Sequence, residues 1–130
     1  MEPKSKLNRQ AIINGVATFI VLYVLLLIFG YVTGMQHGRL LLTLQILTFI
    51  ISGYVTGRVA GQGGVYNGVI VGIPLPLVLA VGFSLMAPKG TVTKDLLLSL
   101  GLFWLLQSLA LCALGGLIAD IHRRLAKPRD

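Results

Sequence analysis

The sequence has few charged residues: Asp, Glu, Lys and Arg make up 12% of its 130 residues, against roughly a quarter of an ordinary soluble domain. Hydrophobic residues make up 55%. The chain also has a single cysteine, Cys112, so no disulfide can form within it. These shortages exclude an intrinsically disordered chain, a disulfide-stabilised secreted domain and a cytosolic enzyme.

Residues that catalyse reactions or bind metals are equally scarce. His37 has no second His, Cys or acidic residue at the spacing of metal ligands, so we expect a solvated loop residue. Cys112 is expected to pack among small residues. The sequence contains no Ser/His/Asp arrangement, no pair of carboxylates and no phosphate-binding loop. We therefore expect no enzymatic activity, no cofactor and no metal.

What the sequence has instead is four long stretches without charge, which together cover 101 residues. They contain 29, 18, 30 and 24 residues, and a helix needs roughly 17 to 25 apolar residues to cross a bilayer. Within hydrocarbon only helices and closed barrels satisfy every backbone polar group, and these stretches lack the alternation of barrel strands. The sequence predicts an all-α fold, a bundle of four transmembrane helices at about 11–33, 40–60, 65–86 and 96–119.

Short connections between these helices predict one membrane domain, 1–130, with short basic tails at 1–10 and 120–130. The first apolar run is too long for a secretory signal, so a retained helix is expected. Eight Lys and Arg residues lie on the side of the tails and three on the other. Both termini are therefore expected to be cytoplasmic, in a multi-pass protein of the cell (cytoplasmic or inner) membrane.

The net charge of +7 is accordingly attributed to topology and to contact with anionic lipid headgroups. The tails are too short to build a nucleic-acid-binding surface, so no nucleic-acid partner is expected. At the membrane interface the sequence predicts headgroup contacts for three arginines, Arg58, Arg123 and Arg124; for Arg58 the alternative is contact with a partner protein. Asp120 is expected to pair with the arginines three and four residues later, as is ordinary on a helix surface.

Glycine occupies every fourth position in three places. The triplets are Gly30, Gly34 and Gly38 at the outer end of helix 1, Gly53, Gly57 and Gly61 at the inner end of helix 2, and Gly64, Gly68 and Gly72 in helix 3. Residues four apart share a helix face, and glycine there lets another backbone approach closely. Small residues continue this pattern in helix 4, at Ser108, Cys112, Gly115, Gly116 and Ala119.

Because only a few residues join helices 2 and 3, their triplets are expected to meet in a tight antiparallel hairpin, which leucine at Gly57 or Gly68 would disrupt. The alternative is that at least one triplet forms a seam with another chain. The sequence Gly-Tyr-Val-Thr-Gly at 30–34 recurs at 53–57. Close helix packing of the same kind at both places explains this repeat more simply than an inverted repeat of the kind found in transporters.

The stretch from Gly53 to Gly61, GYVTGRVAG, followed by Gly64, Gly68 and Gly72, resembles a family of small four-helix bacterial membrane proteins of unknown function. Members carry G-Y-x-x-G-R-x-A-G before a G-x-x-x-G-x-x-x-G helix. The resemblance covers helices 2 and 3, and it implies the four-helix fold and the membrane location but no activity.

Proline and uncharged polar residues interrupt the apolar helices. Pro74 and Pro76 predict a kink or local unwinding in helix 3, a feature that marks binding sites in transporters. Gln45, Asn67 and Gln107 are interpreted as groups that join helices by hydrogen bonds; the alternative is that they line a narrow polar path.

These patterns favour a non-enzymatic membrane protein: an accessory or stabilising subunit of a larger membrane complex, or a homo-oligomeric scaffold. The alternative is a small oligomeric channel or transporter for a neutral or small solute, and a third hypothesis is a lytic pore. Convergence of Gln45, Asn67 and Gln107 on one cavity would favour transport.

Overall fold

The computed structural model describes residues 8–34, 36–87 and 89–128, and all regular secondary structure within this part of the chain is α-helical. The helices are α1 (Arg9–Val32), α2 (Gly38–Ala60), α3 (Gly64–Gly72), α4 (Leu75–Met86) and α5 (Lys94–Ala126). The prediction of an all-α fold is confirmed. Three basic residues of the predicted tails, Lys4, Lys6 and Arg129, lie outside the described residues.

Four helical segments are long and apolar enough to cross a membrane: α1, α2, α3 together with α4, and α5. They contain 24, 23, 23 and 33 residues. Large hydrophobic side chains cover the outside of the bundle, and only nine hydrophobic residues in the described part of the chain are buried. An outer surface of this kind is typical of a protein surrounded by hydrocarbon. The chain is therefore a multi-pass helical membrane protein.

The two ends of the bundle have different connections. At the end that we call the terminal end, the backbone N–H of Asn8 donates to Asn67 Oδ1 at 3.0 Å, and the turn 61–63 lies beside the last turns of α5. The connections that follow α1 and α4 lie at the opposite end, which we call the distal end. The described start of the chain and the end of α5 thus lie at the same end of the bundle.

α5 is in contact with both α2 and α3 over much of its length. Its buried residues form one face of small side chains: Ser108, Cys112, Gly115, Gly116 and Ala119. A Cβ atom added at Gly53 of α2 would lie 2.7 Å from the Cα of Cys112, and one added at Gly72 of α3 would lie 2.9 Å from the carbonyl oxygen of Ser108. Glycine at these positions therefore allows backbone-to-backbone contact with α5.

α2 and α3 pack side by side across the turn 61–63, but the contacts correct the prediction that their glycine triplets meet each other. The positions of Gly53 and Gly57 face α5, and so do those of Gly64, Gly68 and Gly72. The two triplets thus meet α5 rather than each other, since α5 supplies a third row of small residues that fits against both. Gly61 is an exception, because it ends α2 in the left-handed conformation with φ of 74°.

The glycine triplet predicted at the end of helix 1 does not lie on one helix. α1 ends at Val32, Gly34 lies in the following turn with φ of 65°, and Gly38 is the first residue of α2. No atom of the described residues lies within 4 Å of a Cβ added at Gly38. Of the three residues, Gly30 is the one buried in a helix.

Parts of the predicted tails are helical. α5 continues through Ala126, so most of 120–130 is helical, and α1 begins at Arg9 within the predicted tail 1–10. α1 starts there because the Asn8 side chain accepts a hydrogen bond from the N–H of Ala11 at 3.1 Å. α5 extends past the last apolar stretch, and there the Asp120 carboxylate pairs with Arg123 at 2.9 Å across one helical turn, which stabilises the helix.

A small apolar core lies in the middle of the bundle and contains buried residues from all five helices. The ring of Phe19 stacks on Phe49 with centroids 5.1 Å apart and on Tyr23 at 5.6 Å. Ser52 Oγ donates to the carbonyl oxygen of Gly15 at 2.7 Å and joins α2 to α1. Because both atoms are buried in the bundle, this hydrogen bond is free from competition with water.

We predict that Gly68→Leu lowers the free energy of unfolding by about 1–3 kcal/mol, because a Cβ at this position would lie 3.0 Å from the carbonyl carbon of Cys112 and force α3 away from α5. Thermal unfolding in detergent micelles measures the change. Gly101→Leu is the matched control, since no atom lies within 4 Å of a Cβ there. Equal stability of the two variants would contradict the prediction.

Candidate functional site

The membrane-crossing segment formed by α3 and α4 is interrupted at 73–74. Pro74 has no N–H to donate to the carbonyl oxygen of Ile70, and instead the N–H of Ile73 donates to that oxygen at 3.3 Å. The N–H of Leu77 donates to the carbonyl oxygen of Pro74 at 3.1 Å and starts α4 with a tight turn. The chain is thus locally overwound at the two prolines.

The carbonyl oxygen of Gly72 would lose its helical partner at this break, because the residue four positions later is Pro76. Ser108 of α5 takes the place of that partner: its Oγ donates to the Gly72 oxygen at 2.7 Å. An unpaired carbonyl in hydrocarbon is costly, so the serine hydroxyl stabilises the break and joins α3 to α5. Sequence reasoning placed Ser108 on a packing face and missed this role.

A cavity of about 390 Å³ opens on the distal side of the break. It lies between α1, α2, α4 and α5, and the aromatic residues Tyr23, Phe83 and Trp104 form part of its wall. Gln45 supplies an amide, and the Tyr23 hydroxyl is directed to the carbonyl oxygen of Leu79 at 3.4 Å. Since all its lining residues are uncharged, the cavity suits an apolar molecule.

Of the three polar residues whose convergence would favour transport, Gln45 and Asn67 lie at different ends of the bundle. Gln45 lines the distal cavity. Asn67 lies at the terminal end, where its Oδ1 accepts from Asn8 and its Nδ2 donates to the carbonyl oxygen of Gly63 at 2.9 Å. Gln107 has a buried Oε1 without a hydrogen-bond partner among the described residues. Asn67 thus joins helices, as interpreted from the sequence, and does not meet Gln45.

A polar cluster at the terminal end joins α2, α3 and α5. The Asp120 carboxylate accepts hydrogen bonds from the N–H of Gly64 at 3.0 and 3.2 Å, so a side chain of α5 caps the first turn of α3. Arg123 pairs with Asp120 at 2.9 Å and also donates to the carbonyl oxygen of Gly57 near the end of α2. Asp120 therefore does more than form the predicted surface pair.

The three arginines predicted to contact lipid headgroups differ in the structure. Arg58 and Arg124 are exposed, whereas the guanidinium of Arg123 is engaged by Asp120 and Gly57. Arg123 thus joins helices as well, and the predicted headgroup contacts of all three arginines stay predictions. Asp120, one turn earlier, holds the Arg123 side chain over the exposed end of α2.

Two histidines lie at opposite ends of the bundle. His37 precedes the first residue of α2 at the distal end, and His122 stacks on Tyr54 at the terminal end with its Nδ1 2.7 Å from the Tyr54 hydroxyl. The Tyr54–His122 contact was not predicted from the sequence, because 68 positions separate the partners. In the part of the chain that the structure describes, no group of three His, Cys, Asp or Glu could hold a metal ion.

No protein-family model, curated protein or solved structure matches this chain. The family resemblance of the GYVTGRVAG stretch therefore stays a prediction. What distinguishes the chain is its own geometry: a proline break in one membrane segment, an apolar cavity beside it and a polar cluster at the terminal end.

We predict that Ser108→Ala lowers the free energy of unfolding by about 1–3 kcal/mol, because it leaves the Gly72 carbonyl oxygen unpaired inside the bundle. Unfolding in mixed detergent micelles measures the change. The matched control is Ser99→Ala, which removes an exposed hydroxyl from the same helix. A result in which both variants unfold like the unmodified protein would show that the hydroxyl does not stabilise the break.

Proposed function

We propose that this protein is a non-enzymatic membrane scaffold, which assembles through α4 with a second copy of itself and in that form stabilises a larger membrane complex. The observation that carries the proposal is the outer face of α4. Leu77, Val81 and Leu85 are exposed by 71%, 61% and 78%, and Ala80 and Ser84 lie between them. Small residues four apart on an exposed membrane helix let a second helix approach closely.

The contacts of the glycine triplets support this choice of surface. In helices α2 and α3 the glycine positions face α5 within the same chain. We infer that glycine packing holds the monomer together and is not the seam with another chain. The half-buried Ala80 and the exposed Ser84 then form a small-residue surface on which another helix can pack.

We expect Ser84→Cys to form a disulfide-linked dimer when membranes are oxidised, because two copies of α4 that pack along Ala80 and Ser84 bring these thiols together. Non-reducing gel electrophoresis measures the dimer. The one native cysteine, Cys112, is fully buried and gives no background. Ala80→Leu in the same chain should lower the dimer yield, since it fills the groove between the helices.

Leu98→Cys is the matched control for this experiment. Leu98 is exposed by 67% and lies near the distal end of α5, as Ser84 does on α4, but on another face of the bundle. Native mass spectrometry of a gentle detergent extract provides the second readout. A strictly monomeric species without a co-purifying protein, together with equal crosslinking of both variants, would overturn the proposal.

We further propose that the termini face the cytoplasm, in the cell (cytoplasmic or inner) membrane. Among the described residues, Arg9, Arg58, Arg123, Arg124 and Lys127 lie at the terminal end, whereas Arg39, Lys89 and Lys94 lie at the distal end. An excess of basic residues on one side of the membrane favours the cytoplasmic side.

Two glutamines in the connections test this orientation. A membrane-impermeant maleimide should label Gln36→Cys at the distal end in intact cells and should label Gln62→Cys at the terminal end only after lysis. Both side chains are exposed, and the unmodified protein with its buried Cys112 serves as the control. Labelling of Gln62→Cys in intact cells would show that the terminal end faces the outside and would contradict the proposed orientation.

Two other hypotheses from the sequence are weighed against this proposal. Membership in the four-helix family of unknown function fits the proposal, because it implies a membrane location without an activity. Transport in an oligomer draws support from the proline break, but Gln45 and Asn67 lie at different ends of the bundle. For this reason we propose assembly rather than transport.

A further inference from the structure

A second cavity lies at the terminal end, between the turn 61–63 and the last turns of α5. Its volume is about 310 Å³, at the lower end of the range for sites that bind small ligands. Four side chains of α5 line it: Asp120, Arg123, Arg124 and Lys127. Apart from the two glycines of the turn, its lining is polar or charged, unlike that of the distal cavity.

The charges in this cavity do not balance. Asp120 is neutralised by Arg123 at 2.9 Å and accepts the hydrogen bonds of the Gly64 N–H. Arg124 and Lys127 are exposed and make no hydrogen bond or ion pair with any other described residue. Among the described residues, the positive charges of Arg124 and Lys127 therefore have no ion-pair partner.

The backbone adds to this positive potential. Gly63, the residue before the first residue of α3, lines the cavity, and the first turn of α3 contains no acidic residue. The partial positive charge of a helix N-terminus favours an anion near it. Of the N–H groups in the first turn of α3, the described contacts pair only that of Gly64 with Asp120.

Exposed apolar side chains lie on the same turns of α5, farther around the helix from the cavity. Leu125 and Ile121, on the same turns of α5 as Arg124, are exposed by 77% and 48%. α5 is one of the helices long and apolar enough to cross a membrane. We expect its basic terminal end to lie at the level of the lipid headgroups. A lipid could thus place its acyl chains along α5 and its phosphate in the cavity.

We propose that this cavity binds a phosphate group, held by Arg124 and Lys127. A guanidinium donates paired hydrogen bonds to phosphate oxygens and an ammonium supplies a compact charge, so the two side chains suit this ligand. The phosphate belongs to an anionic membrane lipid or is free in solution. This inference concerns a single chain and goes beyond the proposed assembly. Phosphate binding can therefore be found without crosslinking through α4, and crosslinking can be found without phosphate binding.

Native mass spectrometry of the purified full chain in detergent tests the site. The protein is titrated separately with short-chain phosphatidylglycerol, short-chain phosphatidylcholine and inorganic phosphate, and apparent affinities are read from the adduct intensities. The variant Arg124→Gln/Lys127→Gln should bind phosphatidylglycerol at least about tenfold more weakly, because each basic group near a lipid surface contributes roughly a fivefold effect. Phosphatidylcholine should bind weakly to both proteins, since its choline offsets the phosphate charge.

The matched control is Arg9→Gln/Arg58→Gln. It removes the same charge from the same end of the bundle, but neither residue lines the cavity. Its affinity should fall less than about threefold. The melting temperature of each variant is measured in parallel, and it should stay unchanged, because Arg124 and Lys127 make no contacts that hold the described fold together.

The outcomes separate the sources of the phosphate. Binding of phosphatidylglycerol that only the cavity variant weakens supports a lipid site. Binding of inorganic phosphate with the same dependence, and competition between it and the lipid, supports a site for a free anion. Equal losses in both double variants would show diffuse attraction to the surface, and unchanged binding in the cavity variant would show that the cavity is not used; either result overturns the inference.

Discussion

The close approach of α5 to α2 and α3 is the constraint on which the rest of the structure depends. Lipid chains are as apolar as leucine, so burial of apolar surface does not drive these helices together, and contact must come from packing and hydrogen bonds between helices. Glycine at Gly53, Gly68 and Gly72 lets the backbones meet. This close approach lets the Ser108 hydroxyl donate a hydrogen bond to the carbonyl oxygen of Gly72 and the Cys112 thiol donate one to the carbonyl oxygen of Phe49.

The proline break follows from the same arrangement. Two prolines remove donors from α3 and α4, and the break is stable because α5 lies close enough for Ser108 to supply one of them. Beyond the break α4 contacts α5 through Phe83 and Trp104 and leaves Leu77, Val81 and Leu85 outside. The apolar cavity and the exposed face of α4 thus both lie beyond the proline break. A membrane segment that continued as a straight helix would have a donor at position 76, and Ser108 would have no carbonyl to satisfy.

The two ends of the bundle are organised by different chemistry. At the terminal end, polar groups join the helices: Asp120 caps α3, and Arg123 reaches the end of α2. The distal cavity, in contrast, is surrounded by aromatic and aliphatic side chains. Charged groups are tolerated at the terminal end because water and headgroups are within reach there, whereas uncharged residues suit the hydrocarbon. This asymmetry is the reason that we propose anion binding at the terminal end and contact with another helix on the exposed face of α4.

The sequence by itself determined the four membrane-crossing segments, because long stretches without charge can only be helices in hydrocarbon, and it determined the break, because Pro74 and Pro76 cannot donate. It also showed which positions are small enough for close contact. Only the tertiary structure decided the partners. The glycine triplets of α2 and α3 could pack against each other as well as against a third helix. The spacing of the glycines does not indicate which helix packs against them. The roles of Ser108, Asp120 and Arg123 depend on atoms from helices far away in the chain, and these meet only when α5 lies against α2 and α3.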